Sequence, residues 1–344
     1  MPTRDVPLPT GQAGAAPAAV LAGLQDWVTS PALRALVARF GGDRPDGGAL
    51  PLPVRLDALP AATTPATRLD ALLAALDAFS ARHWDFRHGR ERPDADEPVL
   101  DPETVTLVLD AARTLGLVEP VPPPVDRYTH LVVLGGLAHA CLRRTAYAAH
   151  LVARGTTVTG EVAALGSFRP LSALETRMLT DAGITGCTTE VDALDAAVRA
   201  AFGVPAPAEE TGGDGDHPHR AWSTRTYRPA GGPPVRVLAA PSSEPAVRRA
   251  HTADTQRFWA EHVSLGPGDR VLMVTAPIYV PFQHCDALRV LALPYGCGVD
   301  TVGVDPALPA LRALPEPTLT PGRYLQEIRS AIRSMRHLHA ALSG

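Results

Sequence analysis

Four clusters of polar side chains carry the residue types that could do chemistry, and each sits beside an apolar run. The first is LVVLGGLAHACLRR, Leu131–Arg144. Gly135 and Gly136 would let the backbone approach a ligand, and the helix that follows would turn free N–H groups toward an anion. The alternative is a tight turn that serves packing. Arg143 and Arg144 fall nearly two turns into that helix and either reach a ligand or a carboxylate or stay exposed. The second cluster is LGSFRPLSALETRML, Leu165–Leu179. Arg169 could grip a carboxylate or phosphate with its planar fork. Glu175 either acts on the ligand or caps its own helix. The third, AHTADTQRFW, groups His251, Thr252, Asp254 and Thr255 where a loop becomes a helix. Such a group suits hydrogen bonds to a sugar or an amino-acid moiety, or simply a helix cap. In the fourth, VTAPIYVPFQHCDALR, Thr275 ends an apolar strand and Tyr279, Gln283 and His284 follow. His284 is either a general acid or base or a structurally bonded imidazole.

Composition excludes several chemistries. The chain contains neither lysine nor asparagine, so no Schiff-base lysine and no phosphate-loop lysine exist. Cys141, Cys187, Cys285 and Cys297 include no C-x-x-C pair, so no zinc ribbon or thioredoxin-type site is expected and no metal is called for. The glycine pattern is not G-x-G-x-x-G, so a dinucleotide is not implied. A formal net charge of -4 gives no sign of nucleic-acid binding. No run approaches the roughly 20 apolar residues of a membrane span, and the N-terminus lacks a secretory pattern, so a cytoplasmic protein is expected.

These clusters need elements to hold them. Ser30-Pro31 opens a helix, Ala66–Arg82 spaces Leu69, Leu72, Leu73, Leu76 and Phe79 helically, and Asp101-Pro102-Glu103 starts a helix that ends near Gly116. Residues 1–20 are expected to fray, and 121–125 form a stiff connector. Strands are expected at His130–Leu134, Thr157–Leu165, Arg270–Thr275 and Val299–Val304, and a hairpin at Trp222–Arg228 and Val235–Ala239. Helices are expected at Ala138–Ala153, Ser172–Ala182, Val191–Phe202, Arg248–Val263, Phe282–Leu293 and Pro321–Leu342, and residues 205–220 read as a mobile loop. The fold class is therefore α/β, a Rossmann-like three-layer sandwich with a mostly parallel sheet. A helical N-terminal region (1–125) precedes it, and the α/β domain with its C-terminal helix spans 126–344. The arginine- and aromatic-rich segment Ala81–Arg92 reads as a charged helix end or as a lid bringing Trp84, Arg87 or Arg90 to an anion.

From Tyr128 to about Asp305 the chain resembles the DUF218 family of YdcF-like and SanA-like proteins. The resemblance lies in the Leu134-Gly135-Gly136 strand end, the arginine in the next helix, and the helix of Glu175 before Gly183-Ile184. It continues in His251–Thr255 and in Val274-Thr275-Ala276 followed by Tyr279–Phe282. Tyr279 stands where that family has histidine, Phe282 where it has arginine, and Thr255 where it has asparagine. The resemblance implies a Rossmann-like fold and a nucleoside-type ligand such as S-adenosylmethionine.

The expected function is an enzyme, a transferase or lyase, acting on a small anionic metabolite with a nucleoside-type cosubstrate. A non-catalytic ligand-binding regulator and a cell-envelope interaction protein remain open beside it. Glu175, Tyr279 and His284 are the catalytic candidates. Gly135, Gly136, Arg143, Arg169, His251, Thr252, Asp254, Thr255 and Thr275 are the ligand-binding ones.

Overall fold

The structure is a computed structural model that describes residues 6–41, 64–87 and 96–343. Four helices come first: α1 (Pro17–Val28), α2 (Pro31–Arg39), α3 (Pro65–His83) and α4 (Pro102–Thr114). Proline opens each of them, and Ser30, Thr64 and Asp101 accept a backbone N–H as N-caps of α2, α3 and α4.

The α/β part follows in the order β1 (Arg127–Tyr128), β2 (His130–Leu134), α5 (Ala138–Ala153), β3 (Thr157–Val158), β4 (Val162–Gly166), α6 (Ala173–Asp181), α7 (Glu190–Phe202) and β5 (Glu209–Gly213). It continues through β6 (Trp222–Tyr227), β7 (Val235–Ala239), α8 (Thr252–Val263), β8 (Arg270–Thr275), α9 (Val280–Ala287), α10 (Leu293–Tyr295), β9 (Gly298–Gly303) and α11 (Pro321–Ser343). A π turn over Leu288–Ala292 joins α9 to α10.

The seven-stranded mixed sheet has the order β5-β6-β7-β4-β2-β8-β9. The pairs β7·β4, β4·β2, β2·β8 and β8·β9 are parallel, and β5 and β6 join antiparallel at one edge. Every residue of β2 and β4 is buried, as expected of strands covered on both faces. The alternation decides which face each side chain serves. Leu131 and Val133 pack with α5 and α7, whereas Val132 and Leu134 pack on the side of α8 and α9. That second layer is continuous with Trp27, Leu33, Leu73, Phe79 and Trp84 of the N-terminal region and with Leu325, Ile328 and Ile332 of α11. The N-terminal helices therefore share one core with α11 and the sheet. No described helix is long and apolar enough to cross a membrane.

Several expectations are corrected. The strand expected over Thr157–Leu165 is broken. Its start pairs with β1 in a separate two-stranded sheet, and the central-sheet strand begins only at Val162. Between them Gly160 lies so close to His130 that a Cβ would fall 2.6 Å from the imidazole Cε1. Residues 205–220 are not wholly loop. β5 pairs with β6 over Glu209–Gly213, and ion pairs Glu210–Arg225 and Glu209–Arg228 reinforce the pairing. Backbone pairing and cross-strand charge make a strand where composition shows little apolar material. The helix expected from Arg248 starts at Thr252 because His251 and Asp254 form a capping box there.

Residues within the expected frayed terminus are held firmly. The Val299 N–H donates to the Gly11 carbonyl at 2.7 Å. His284 Nε2 lies 2.9 Å from the Pro9 carbonyl, and its Nδ1 lies 3.0 Å from the Thr301 hydroxyl. The segment thus lies along β9 at the sheet's outer side, which gives an otherwise open edge a partner. A Cβ at Gly11 would meet the Val299 carbonyl oxygen at 1.8 Å, so only glycine fits. Gly11→Ala should cost about 2 kcal/mol and open the segment before α1 to limited proteolysis. Unchanged urea unfolding and unchanged protease resistance would contradict this docking.

Candidate functional site

The carboxyl ends of β2, β4, β7 and β8 bring their loops to one edge of the sheet. One dense polar arrangement there centres on Glu175. Its carboxylate accepts both arms of the Arg169 guanidinium, at 2.8 and 3.0 Å. It also accepts the Ala138 N–H at 3.0 Å, at the first turn of α5, and the Ser172 N–H at 2.9 Å. Arg169 further donates to the Gly136 carbonyl at 2.9 Å. Burial opposes the charge on Glu175, but the Arg169 and Ser172 hydrogen bonds outweigh it and hold the carboxyl down at about 2. Gly136, Arg169 and Glu175 do come together, and of the two roles open to Glu175 the helix cap is the one present. The anion at the start of α5 is the protein's own carboxylate, and the fork of Arg169 is already filled. Glu175 stays ionised at neutral pH, and its capping box with Ser172 is present. Its bonds are those of a structural carboxylate.

A second carboxylate behaves oppositely. Glu190 opens α7 behind the Thr189 cap and is buried. Burial raises its pKa, against the pull of the Ser167 hydroxyl and of Arg169 and Arg249. Ser167 donates to Glu190 Oε2 at 2.7 Å. Glu190 Oε1 lies 2.6 Å from where a Cβ on Gly135 would sit, and the Leu165 carbonyl oxygen lies 2.5 Å from that point. Gly135 is thus required by its close packing against Glu190 and the Leu165 carbonyl.

Arg144, almost fully buried, donates to the carbonyls of Leu134 and Gly135 at 2.7 and 2.6 Å. Its guanidinium stands 5.5 Å from the centre of the Tyr279 ring, a cation–π distance. This contact joins the loops that follow β2 and β8. His139 lies in the field of Arg144 and Arg143. Burial first, then those cations, bring its imidazole down to about 4, so it is neutral at pH 7.

The remaining expected residues divide. Arg143 donates to the Leu311 and Leu314 carbonyls and pairs with Glu316, so it ties down the chain after β9. Asp254 pairs with Arg248 at 2.5 Å and accepts the His251 N–H at 3.0 Å. Burial disfavours its charge, but these partners keep its carboxyl well below the usual range. His251 is the exposed cap of α8, Thr252 opens that helix, and the Thr255 hydroxyl donates to the Thr252 carbonyl. His284 lies on the β9 side with both ring nitrogens beside oxygens, one of them in the docked N-terminal segment. Of the two roles open to it, the structurally bonded imidazole is the one these contacts show. Trp84 is fully buried, packed edge-on against Phe40 and Phe79, which corrects the expectation of it as a lid residue. Arg90 lies outside the described residues.

Thr275 has a different character. It is fully buried at the end of β8, and its hydroxyl has no hydrogen-bond partner. Both amide atoms of Gln256 and Oε1 of Gln283 share that state. Each buried polar group left so costs about 1–3 kcal/mol.

Comparison with known proteins now adds to this geometry. A family model described as Rv3785 N-terminal domain matches residues 11–62 and 59–116. The uncharacterized protein Rv3785 of Mycobacterium tuberculosis strain ATCC 25618 / H37Rv is 34% identical over 339 residues, covering 91% of this chain and 87% of the relative. Mb3814 of Mycobacterium bovis matches with the same identity and coverage. The chain belongs to the Rv3785 family. Membership overturns the DUF218 resemblance, whose motifs were strand ends and helix caps that many α/β sheets share. No solved structure matches the chain. In this Rv3785-family protein the matched N-terminal stretch contains α1, α2, α3 and α4, the helices that share a core with α11.

Sequence reasoning missed Glu190, Ser167, Arg249 and Gln256. Thr189-Glu190 with Asp192 three residues after the cap was the readable signal. The Glu175 cluster sets an acid dependence. Its pKa lies below the ordinary glutamate value of 4.5, so its stabilising effect is full above that value and lost as pH falls toward 2. Glu175→Gln should lower stability at pH 7 by about 3 kcal/mol and flatten the unfolding curve between those limits. Parallel acid curves for parent and variant would contradict this.

Proposed function

We propose that the carboxyl edge of the parallel strands binds a small anionic metabolite and acts on it as an enzyme, with Glu190 as the group that takes or gives a proton. The reading treats β7-β4-β2-β8-β9 as a Rossmann-like arrangement. In such sheets the loops after the strands that flank the reversal of strand order form the ligand crevice. Here those strands are β2 and β8, and their loops carry Gly135, Gly136 and Tyr279.

The observation that carries the proposal is Glu190. A buried carboxyl whose pKa burial raises, beside Gly135 and the Ser167 hydroxyl, is the acid–base candidate of this edge. Arg249, whose charge acts on Glu190, is the proposed cationic contact for an anion at this edge. Tyr279 contributes as the aromatic wall over Arg144. S-adenosylmethionine plays no part in this reading, because its ground was the overturned resemblance. The protein works in the cytoplasm on this account.

Calorimetric titration with ribose 5-phosphate and with citrate tests the proposal. At least one should bind the parent, and Arg249→Gln should weaken it roughly tenfold or more, the loss of one charge-assisted contact. Glu190→Gln should keep binding but remove its pH dependence. Because burial raises the folded-state pKa of Glu190, its ionisation destabilises the fold as pH rises above the ordinary carboxyl value and through the raised one. Glu190→Gln should therefore also unfold at a higher temperature than the parent at pH 7. No binding by either probe, or parent-like behaviour of both variants, would contradict the proposal.

A further inference from the structure

We propose that Gln256, Thr275 and Gln283 form a neutral compartment of the ligand site, built to seat a group with two N–H donors beside one acceptor, as in a primary carboxamide. This rests on reading the carboxyl edge as a ligand site, though not on the charge of the ligand.

The placement of the three residues follows from the fold. Val271 and Met273 of β8 pack in the layer of α8 and α9, so Thr275, two residues on, faces that layer too. Gln256 lies three or four residues from Ala253, Trp259 and Ala260, all in the same layer. Gln283 lies four residues before Ala287, which is also there. Helices α8 and α9 contact each other, and each leads back from the carboxyl edge toward the start of the next strand. Gln283 is the fourth residue of α9 and Gln256 the fifth of α8, so both lie near the starts of their helices. All three residues therefore occupy the carboxyl end of one layer, next to the loop of Tyr279.

Their chemistry is unusual for an interior. Gln256 is completely buried with neither amide atom hydrogen-bonded, and Thr275 Oγ1 and Gln283 Oε1 are likewise buried without partners. Buried polar groups are otherwise nearly always paired. Together they offer the two N–H donors of Gln256 Nε2, two carbonyl acceptors and a hydroxyl that can do either. A carboxylate or phosphate would bring only acceptors against the two amide oxygens. A primary carboxamide brings one acceptor for Gln256 Nε2 and two N–H groups for the amide oxygens.

Benzamide and acetophenone separate these possibilities, since they match in size and neutrality but only benzamide has N–H donors. Calorimetry on the full chain should show benzamide binding at least tenfold tighter, because a site built for hydrogen bonds rejects an analogue that lacks them. Benzamide should also raise the unfolding temperature. Gln256→Leu should bring the ratio close to one, and Gln283→Met serves the same purpose if the first variant does not fold. Equal binding of the two probes, no binding of either, or a preference that survives in the folded variant would overturn the proposal. Ribose 5-phosphate tells the two readings apart. Benzamide preference without sugar phosphate binding supports this compartment and overturns only the anionic reading. Sugar phosphate binding without benzamide preference overturns this compartment alone.

Discussion

The carboxylate of Glu175 holds the loops at the carboxyl edge in place. It joins the fork of Arg169 to the first turns of α5 and α6, and Arg169 carries the link on to the Gly136 carbonyl. These bonds satisfy N–H groups that a helix start leaves open. They also fix the turn that places Gly135 against Glu190. Two carboxyls of the same edge thus shift in opposite directions. Glu175 is held ionised by a cation and backbone donors, while burial pushes Glu190 toward its protonated form. Environments that drive two carboxyls apart are how a site divides structural from acid–base work.

The N-terminal region takes part in this stability rather than standing apart. Its helices bury Trp27, Leu73 and Trp84 in the cluster that includes α11 and one face of the sheet. The segment before α1 reaches the opposite side of the chain's last strand, where Gly11 and Pro9 meet Val299 and His284. Its match to the Rv3785 N-terminal domain therefore describes a region that is packed into the α/β core.

Much of the architecture was legible in the sequence. The apolar runs of β2 and β8 and the caps at Ser30, Asp101 and Ser172 placed their elements within a residue or two. The gathering of Gly136, Arg169 and Glu175 followed from strand ends alone. Their roles did not, because whether an arginine holds a ligand or a neighbouring carboxylate depends on distances that spacing cannot give. β5 was hidden because its strand character comes from pairing with β6 and not from apolar residues. The docked terminus was hidden because a Pro- and Gly-rich stretch reads as loose until its long-range partners, Val299 and His284, are known. Glu190 was hidden at the head of a helix whose expected start fell one residue later.

The central claim is that this edge holds a small ligand. Native mass spectrometry of the gently purified protein tests it most directly. The account predicts a fraction of the chain carrying one small anionic molecule, and loss of that fraction in Arg249→Gln with the fold intact. Parent protein that is always bare, even after incubation with a mixture of cellular metabolites, would contradict it.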